Sequence, residues 1–429
     1  MKKATFHMIT GLLAIGLMVA ADLAHAQAGR LDTTFGAGGI VTTSFADGVA
    51  GVGAFEQSNG DIVAVAQVNF VNNVGTGIGL VRYTSAGELD TTFGTNGITV
   101  TTFAGIAVDP FGFAVQKNGD FLIGGVATTK SGRNEFGLAR YTSNGVLDTT
   151  FGTNGLVTTK VGTRSDAPSA LLLQPNGQIV MGGFEVAGAN IPGMMSLVRY
   201  NANGALDTTF GKGGISLARV TFLGPETLAL LSNGDYLAVG QNANGNTGIV
   251  AEFSSKGVLL SNVTSAKVVA ALSSSQSAVP NVMFQSPTIF QPNGHYVVAT
   301  TACTFHSQCR GTRIGVTRFL ETGKTDTTFT AKVESFNPRQ TTSVALAVAL
   351  QANGQIVVGG LINDDVGGMV RLDSNGELDT TFGTVDSFGI CCSVTSDQTF
   401  SGLLIQTDGK IVAIGGLDGN LALARYLAN

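Results

Sequence analysis

Seven short, almost continuously apolar runs recur along this chain, each directly after a polar turn: residues 62–66, 121–124, 179–181, 236–239, 296–299, 356–358 and 411–414. A strand with one wet face alternates apolar and polar residues. These runs do not alternate, so both their faces are predicted to be covered. The turn before each is Gln-x-Asn-Gly or a close variant, with its glycine at Gly60, Gly119, Gly177, Gly234, Gly294, Gly354 and Gly409. Asn-Gly between apolar runs is a strong hairpin signal, and the expected closure is a type I′ turn with positive φ at both central residues.

Two further landmarks keep step with these hairpins. Leu-Asp-Thr-Thr-Phe-Gly starts at Leu31, Leu89, Leu147, Leu206 and Leu378, with a weaker copy at Thr325 and a nearly erased one at Leu259. An Arg-aromatic pair recurs at Arg82-Tyr83, Arg140-Tyr141, Arg199-Tyr200, Arg318-Phe319 and Arg425-Tyr426, with Glu252-Phe253 and Arg371-Leu372 as variants. Each landmark occurs seven times in a module of about 58 residues. A module offers four strands, in the first copy near 40–45, 52–57, 61–67 and 77–83. Four strands and seven repeats predict an all-β fold: a seven-bladed β-propeller of four-stranded antiparallel blades. An open solenoid would need polar capping repeats, which neither end shows. Two packed β-sandwiches are the runner-up.

The pattern resembles the delta-60 repeat family of bacterial propeller-like proteins, and more distantly the NHL propellers. The resemblance rests on Leu-Asp-Thr-Thr-Phe-Gly-x-x-Gly, Gln-x-Asn-Gly and Leu-x-Arg-Tyr, and covers about residues 31–429. It implies a fold and carries no general reaction. Leu259-Leu260-Ser261-Asn262 departs from the motif and leaves the local geometry open.

Copies within the chain can be compared with one another. Arg precedes the motif Asp by eight residues in Arg82 and Asp90, Arg140 and Asp148, Arg199 and Asp207, Arg318 and Asp326, and Arg371 and Asp379. In the degenerate copy both change together, to Glu252 and Leu260. A structural charge-assisted bond bracing the turn is expected, worth about 0–1 kcal/mol each if exposed. Asp32 then lacks an upstream Arg and Arg425 a downstream Asp, so the two are predicted to meet where N- and C-terminal strands pair to close the ring.

Composition narrows the function. Lys2 and Lys3, an apolar run from Met8 and Ala24-His25-Ala26 read as a secretory signal over residues 1–26, leaving a single propeller over 27–429. Its loss removes Lys2, Lys3 and Asp22, leaving 22 basic against 28 acidic residues, a net charge of about −6. No basic cluster suits a phosphate backbone, so nucleic acid is not expected as a partner. No later stretch is long and apolar enough for a membrane span. The expected location is periplasmic or extracellular, and the expected state monomeric.

Catalytic residue types are sparse. No G-x-S-x-G, H-E-x-x-H, phosphate-binding loop or dinucleotide fingerprint occurs, and no cofactor or metal is expected. Cys303 and Cys309 flank five residues and are the favoured disulfide; Cys391 and Cys392 are adjacent and left open. If strands alternate in direction, the Asn-Gly and Asp-Thr-Thr-Phe turns share one face. Variable loops then gather on the other, at 70–75, 129–134, 186–192, 273–280, 303–309, 363–367 and 391–395. Variable loops on a rigid scaffold are the usual place for recognition, and Phe305, His306, Arg310, Asp364 and Asp365 are the candidate binding residues. The leading expectation is a non-enzymatic binding or scaffold protein for an envelope or extracellular ligand. The alternatives are a propeller lyase or hydrolase of saccharides or lactones, with its site at the central channel, and a self-assembling surface protein.

Overall fold

The computed structural model describes residues 28–45, 48–70, 75–163, 165–185, 194–220, 222–242, 248–265, 287–303, 312–321, 324–329, 343–362, 366–383 and 399–428. These form twenty-six strands in seven antiparallel sheets, with no helix among the described residues.

Blade 1 is Val49–Glu56, Ile62–Phe70, Gly75–Tyr83 and Ile98–Thr101, ordered from the axis outward. Blade 2 is Ile106–Val115, Phe121–Thr129, Asn134–Tyr141 and Leu156–Thr159; blade 3 is Asp166–Leu173, Ile179–Glu185, Met194–Tyr200 and Ile215–Ala218. Blade 4 is Phe222–Leu230, Tyr236–Asn242, Gly248–Phe253 and Leu259–Ser265. Blades 5 and 6 show three described strands each: Thr288–Phe290, Tyr296–Cys303 and Thr312–Phe319, then Ser343–Leu350, Ile356–Ile362 and Val366–Leu372. Blade 7 is Thr399–Ile405, Ile411–Leu417 and Asn420–Tyr426, completed by Ile40–Thr43 from the N-terminal end. The first strand of each blade touches the first strands of the blades before and after it, and the cycle returns from blade 7 to blade 1. The fold is a seven-bladed β-propeller.

The continuous apolar runs are the second strands, and Ile62–Ala66 and Ile179–Met181 are fully buried. Each blade is covered on both sides, and one apolar cluster fills each of the seven boundaries between neighbours. Closure is antiparallel pairing of Ile40 with Ala424 through Thr43 with Leu421.

The Asn-Gly turns differ from expectation. In the first, Gln57 N–H donates to the Asp61 carbonyl and Gly60 N–H to the Gln57 carbonyl. Only the glycine has positive φ, 87° at Gly60. This is a three-residue loop, a type I turn followed by a left-handed glycine, and not a type I′ turn. Asn59 keeps negative φ because its Oδ1 accepts from the Asp61 amide two residues on, an Asx-type bond. The degenerate copy also resolves: Phe253 pairs directly with Leu259, and the chain runs straight into the outer strand Leu259–Ser265. In blade 1 the outer strand starts only at Ile98, after the Asp-Thr-Thr-Phe turn.

Candidate functional site

The turn face is built from one polar unit repeated six times. Asp207 shows how the sequence makes it. Its Oδ1 accepts from the amide and hydroxyl of Thr209, at 3.0 and 2.7 Å, which fixes the turn. The freed Oδ2 accepts from Arg199 Nε at 2.8 Å. The same guanidinium lies over the Phe210 ring, 4.6 Å from its centroid, and reaches blade 4 to donate to the Ser255 carbonyl at 2.6 Å. Thus Leu-Asp-Thr-Thr-Phe and Leu-x-Arg-Tyr form a clamp between blades, beyond the brace within one turn that the spacing suggested.

The other five copies repeat it. Arg82 holds Asp90 and the Ser143 carbonyl, and Arg140 holds Asp148 and the Ala202 carbonyl. Arg318 holds Asp326 and the Ser374 carbonyl, and Arg371 holds Asp379 and the Ala428 carbonyl. Arg425 Nε donates to Asp32 Oδ2 at 2.9 Å and its terminal nitrogen to the Ser85 carbonyl at 2.5 Å, so the two chain ends meet and grip blade 1. Each of these guanidiniums also lies over the motif Phe, at 4.5–4.9 Å. Glycine admits the Phe of the preceding blade: a Cβ on Gly145 would lie 2.3 Å from the Phe93 ring.

These pairs are not the exposed type expected from spacing. Arg199 and Asp207 are 8% and 5% exposed. Burial alone raises the Asp326 carboxyl, but the Thr328 hydroxyl and amide and the Arg318 guanidinium outweigh it and bring the carboxyl down to about 2. Asp32, Asp90, Asp148, Asp207 and Asp379 are lowered likewise.

The opposite face carries the other loops. Phe305, His306, Cys309, Arg310, Asp364, Asp365, Cys391 and Cys392 lie outside the described residues; Cys303 ends the second strand of blade 5. What the structure does place there is a polar belt across blades 1 to 3. Asp109, on the inner strand of blade 2, accepts from Gln67 Nε2 at 3.0 Å and from the Thr76 hydroxyl, both on blade 1. Arg133, in the 129–134 loop of blade 2, donates to the carbonyls of Gly162 and Thr163 at 2.7 and 3.0 Å. Its guanidinium stands 3.6 Å from Asp166, which opens blade 3 and is fully buried. Burial pushes the Asp166 carboxyl up, against the amides of Val161 and Gly162 that donate to it and against Arg133. Glu185 accepts from the amide and hydroxyl of Thr163.

Sequence reasoning named this loop but not Arg133, Asp109 or Asp166. The only signal was a carboxylate inside an otherwise apolar inner strand. Asp109, Asp166, Glu185 and the terminal nitrogens of Arg133 each meet another blade or loop, so the belt's visible chemistry is to hold the loop mouth in shape. No group of three or more His, Cys, Asp or Glu side chains is placed to hold a metal among the described residues.

No curated protein matches the sequence. In structure, the chain is similar to a Hadza microbial sialidase, Hz136, at 12% identity and TM-score 0.46, over 77% of this chain and 64% of that one. It is also similar to the β-propeller domain of the Trilobed protease of Pyrococcus furiosus, at 11% identity and TM-score 0.41, over 77% and 83%. A third is the WD40 domain of Toxoplasma gondii coronin, at 8% identity and TM-score 0.47, over 91% and 87%. At these identities and TM-scores the likenesses say nothing of activity. A family model described as a β-propeller domain of unknown function (DUF5122) matches residues 57–93, 116–151, 174–210 and 351–382, each running from an Asn-Gly turn into the Asp-Thr-Thr motif. Four of the seven repeats are therefore similar to this β-propeller family, whose description names an architecture and no reaction.

Proposed function

We propose that the protein is an exported binding or scaffold propeller that recognises its ligand through the loop face and performs no chemistry on it. One observation carries this reading: the repeated polar residues of the turn face are committed to contacts inside the ring. Arg, Asp and Thr of six motif copies hold one another and the next blade, which leaves no reactive set there among the described residues. The segments that join the strands on the other face share no motif and differ in length in the sequence, and in blades 1 to 3 the described strand and loop ends are tied by Asp109, Arg133 and Asp166. Such loops can vary freely while the scaffold stays constant.

The test is thermal unfolding of the purified protein against a panel of sugars and divalent metals. A ligand at a hundred times its Kd adds about 2.7 kcal/mol of apparent stability. The expected result is a shift that disappears when residues 186–192 or 363–365 are replaced by Gly and Ser, while the unliganded melting temperature holds. A shift that survives both replacements, or turnover of the ligand, would refute the reading.

A further inference from the structure

Six blade boundaries carry the Arg–Asp–Phe clamp; the boundary between blades 4 and 5 does not. Where blade 3 presents Gln174, Arg199, Asp207 and Phe210, blade 4 presents Leu231, Glu252, Leu260 and Val263. The substitutions act together. Without the Asp-Thr-Thr-Phe turn the chain enters its outer strand at once, and Leu260 is 53% exposed. Glu252 accepts from the Ser261 hydroxyl at 3.3 Å, within its own blade.

The far side of this boundary records the loss. Tyr296 holds in blade 5 the place that Tyr236 holds in blade 4. The Tyr236 hydroxyl accepts from Gln174 Nε2 at 2.7 Å and from Arg199 at 3.0 Å, both across the blade 3/4 boundary. Tyr296 is fully buried, and its hydroxyl has no hydrogen-bond partner among the described residues. The reason is visible in blade 4: Leu231 and Glu252 stand where the two donors would be. Among the described residues, what remains is apolar packing by Ala229, Leu237, Val239, Val250, Tyr296 and Phe319.

The boundary sealed by the chain ends is better equipped. Arg425 grips Asp32 and Ser85, Gly36 N–H donates to the Ala86 carbonyl at 2.8 Å, and Glu56 accepts from Gln406 Nε2 and the Thr407 amide. We infer that the propeller opens between blades 4 and 5, inside the continuous chain, in preference to its non-covalent closure. A peptide link does not hold two sheets face to face; the contacts across the boundary do. Opening at 4/5 breaks no charged hydrogen bond seen among the described residues and lets water reach an orphaned hydroxyl. Opening at 7/1 breaks the charged hydrogen bonds from Arg425 to the Ser85 carbonyl and from the Thr407 amide to Glu56.

Native-state thiol labelling of the full chain tests this, since a buried cysteine reacts only when its boundary opens. Ala229 lines the 4/5 cluster and Ala54 the 7/1 cluster, with similar burial. Ala229→Cys is expected to react at least tenfold faster than Ala54→Cys, read by peptide mass. Leu231→Gln, which restores the donor that Gln174 provides to Tyr236, should slow labelling at position 229. If that variant does not fold, Tyr296→Phe removes the orphaned hydroxyl and should slow it too. Equal or faster labelling at position 54, or no slowing by whichever of these variants folds, would overturn the inference.

Discussion

Asp207 and Asp166 are both buried carboxylates beside an arginine, one on each face of the propeller, and their acidities move in opposite directions. Asp207 is lowered: burial raises it, but Thr209 and Arg199 more than offset that. Asp166 is raised: burial, with the nearby Glu185 carboxylate, outweighs two backbone amides and Arg133. Geometry separates them. Arg199 Nε makes a hydrogen bond at 2.8 Å, whereas the Arg133 guanidinium stands 3.6 Å from Asp166, beyond hydrogen-bonding range. The repeated face is thus a set of ion pairs shaped around the charged carboxylate. The loop face is joined by a carboxyl whose charge is poorly supported, and its cohesion comes from Arg133 on backbone carbonyls. The first is a structural device used six times; the second is a local solution used once.

Acid should expose this difference most strongly. A carboxyl lowered in the folded state contributes stability that is complete above its unfolded value and is lost as the pH falls through the folded one. For Asp326 that window runs from about 4 down to about 2. Asp166 has the reverse sign: its contribution favours the fold at low pH and fades as the pH rises through its raised value. With seven lowered carboxyls among the described residues, those of the six clamps and Asp408, against one raised, the melting temperature should fall steeply below about pH 4. Carboxyl NMR titration should place Asp207 below and Asp166 above the ordinary range. Coincident titration of the two would break the comparison.

Next in size is loss of an arginine. Arg199→Ala leaves the buried Asp207 carboxylate without its cation and removes the bond to the Ser255 carbonyl of blade 4, and should cost about 3 kcal/mol in denaturant unfolding, the bonds from Thr209 and Gln178 limiting the loss. Arg133→Ala, which removes a partly exposed side chain and a longer ion contact, should cost about 1 kcal/mol. Equal losses would mean that the clamps matter no more than the loop belt.

The propeller was legible because its signals are local and repeated. Each turn names itself by glycine, each second strand by its apolar run, and the unpaired Asp32 and Arg425 announced the closure. What was not legible depends on contacts without a side-chain signature. The second arm of each Arg ends on a backbone carbonyl such as that of Ser255, which any residue supplies. The burial of the pairs depends on the Phe210 type of ring being delivered by the same turn. Arg133 and Asp166 lie 33 residues apart on different blades, with no repeat to pair them by analogy. The Asn-Gly turn type was misread because the dipeptide alone does not reveal loop length, and one more residue converts a type I′ hairpin into a type I turn with a following glycine.

The smallest expected effect concerns a donor to the clamp carboxylate, at the position just after the Asn-Gly turn. Gln178 and Gln355 occupy it in blades 3 and 6 and donate to Asp207 and Asp379 at 2.7 and 2.9 Å. Lys410 does so as an ion pair, 3.4 Å from Asp32. In blade 5 the position is His295, whose buried Nδ1 lies 3.7 Å from Asp326 Oδ2 and has no hydrogen-bond partner among the described residues. A longer, amide-bearing side chain would close that gap. His295→Gln should therefore stabilise the protein by about 0.5–1 kcal/mol at pH 8, measured by thermal unfolding. Arg318 already faces the same carboxylate and limits how much a further donor adds. No gain from His295→Gln would show that the clamp is already saturated by Arg318 and Thr328, and that the donor Gln178 supplies in blade 3 is incidental there.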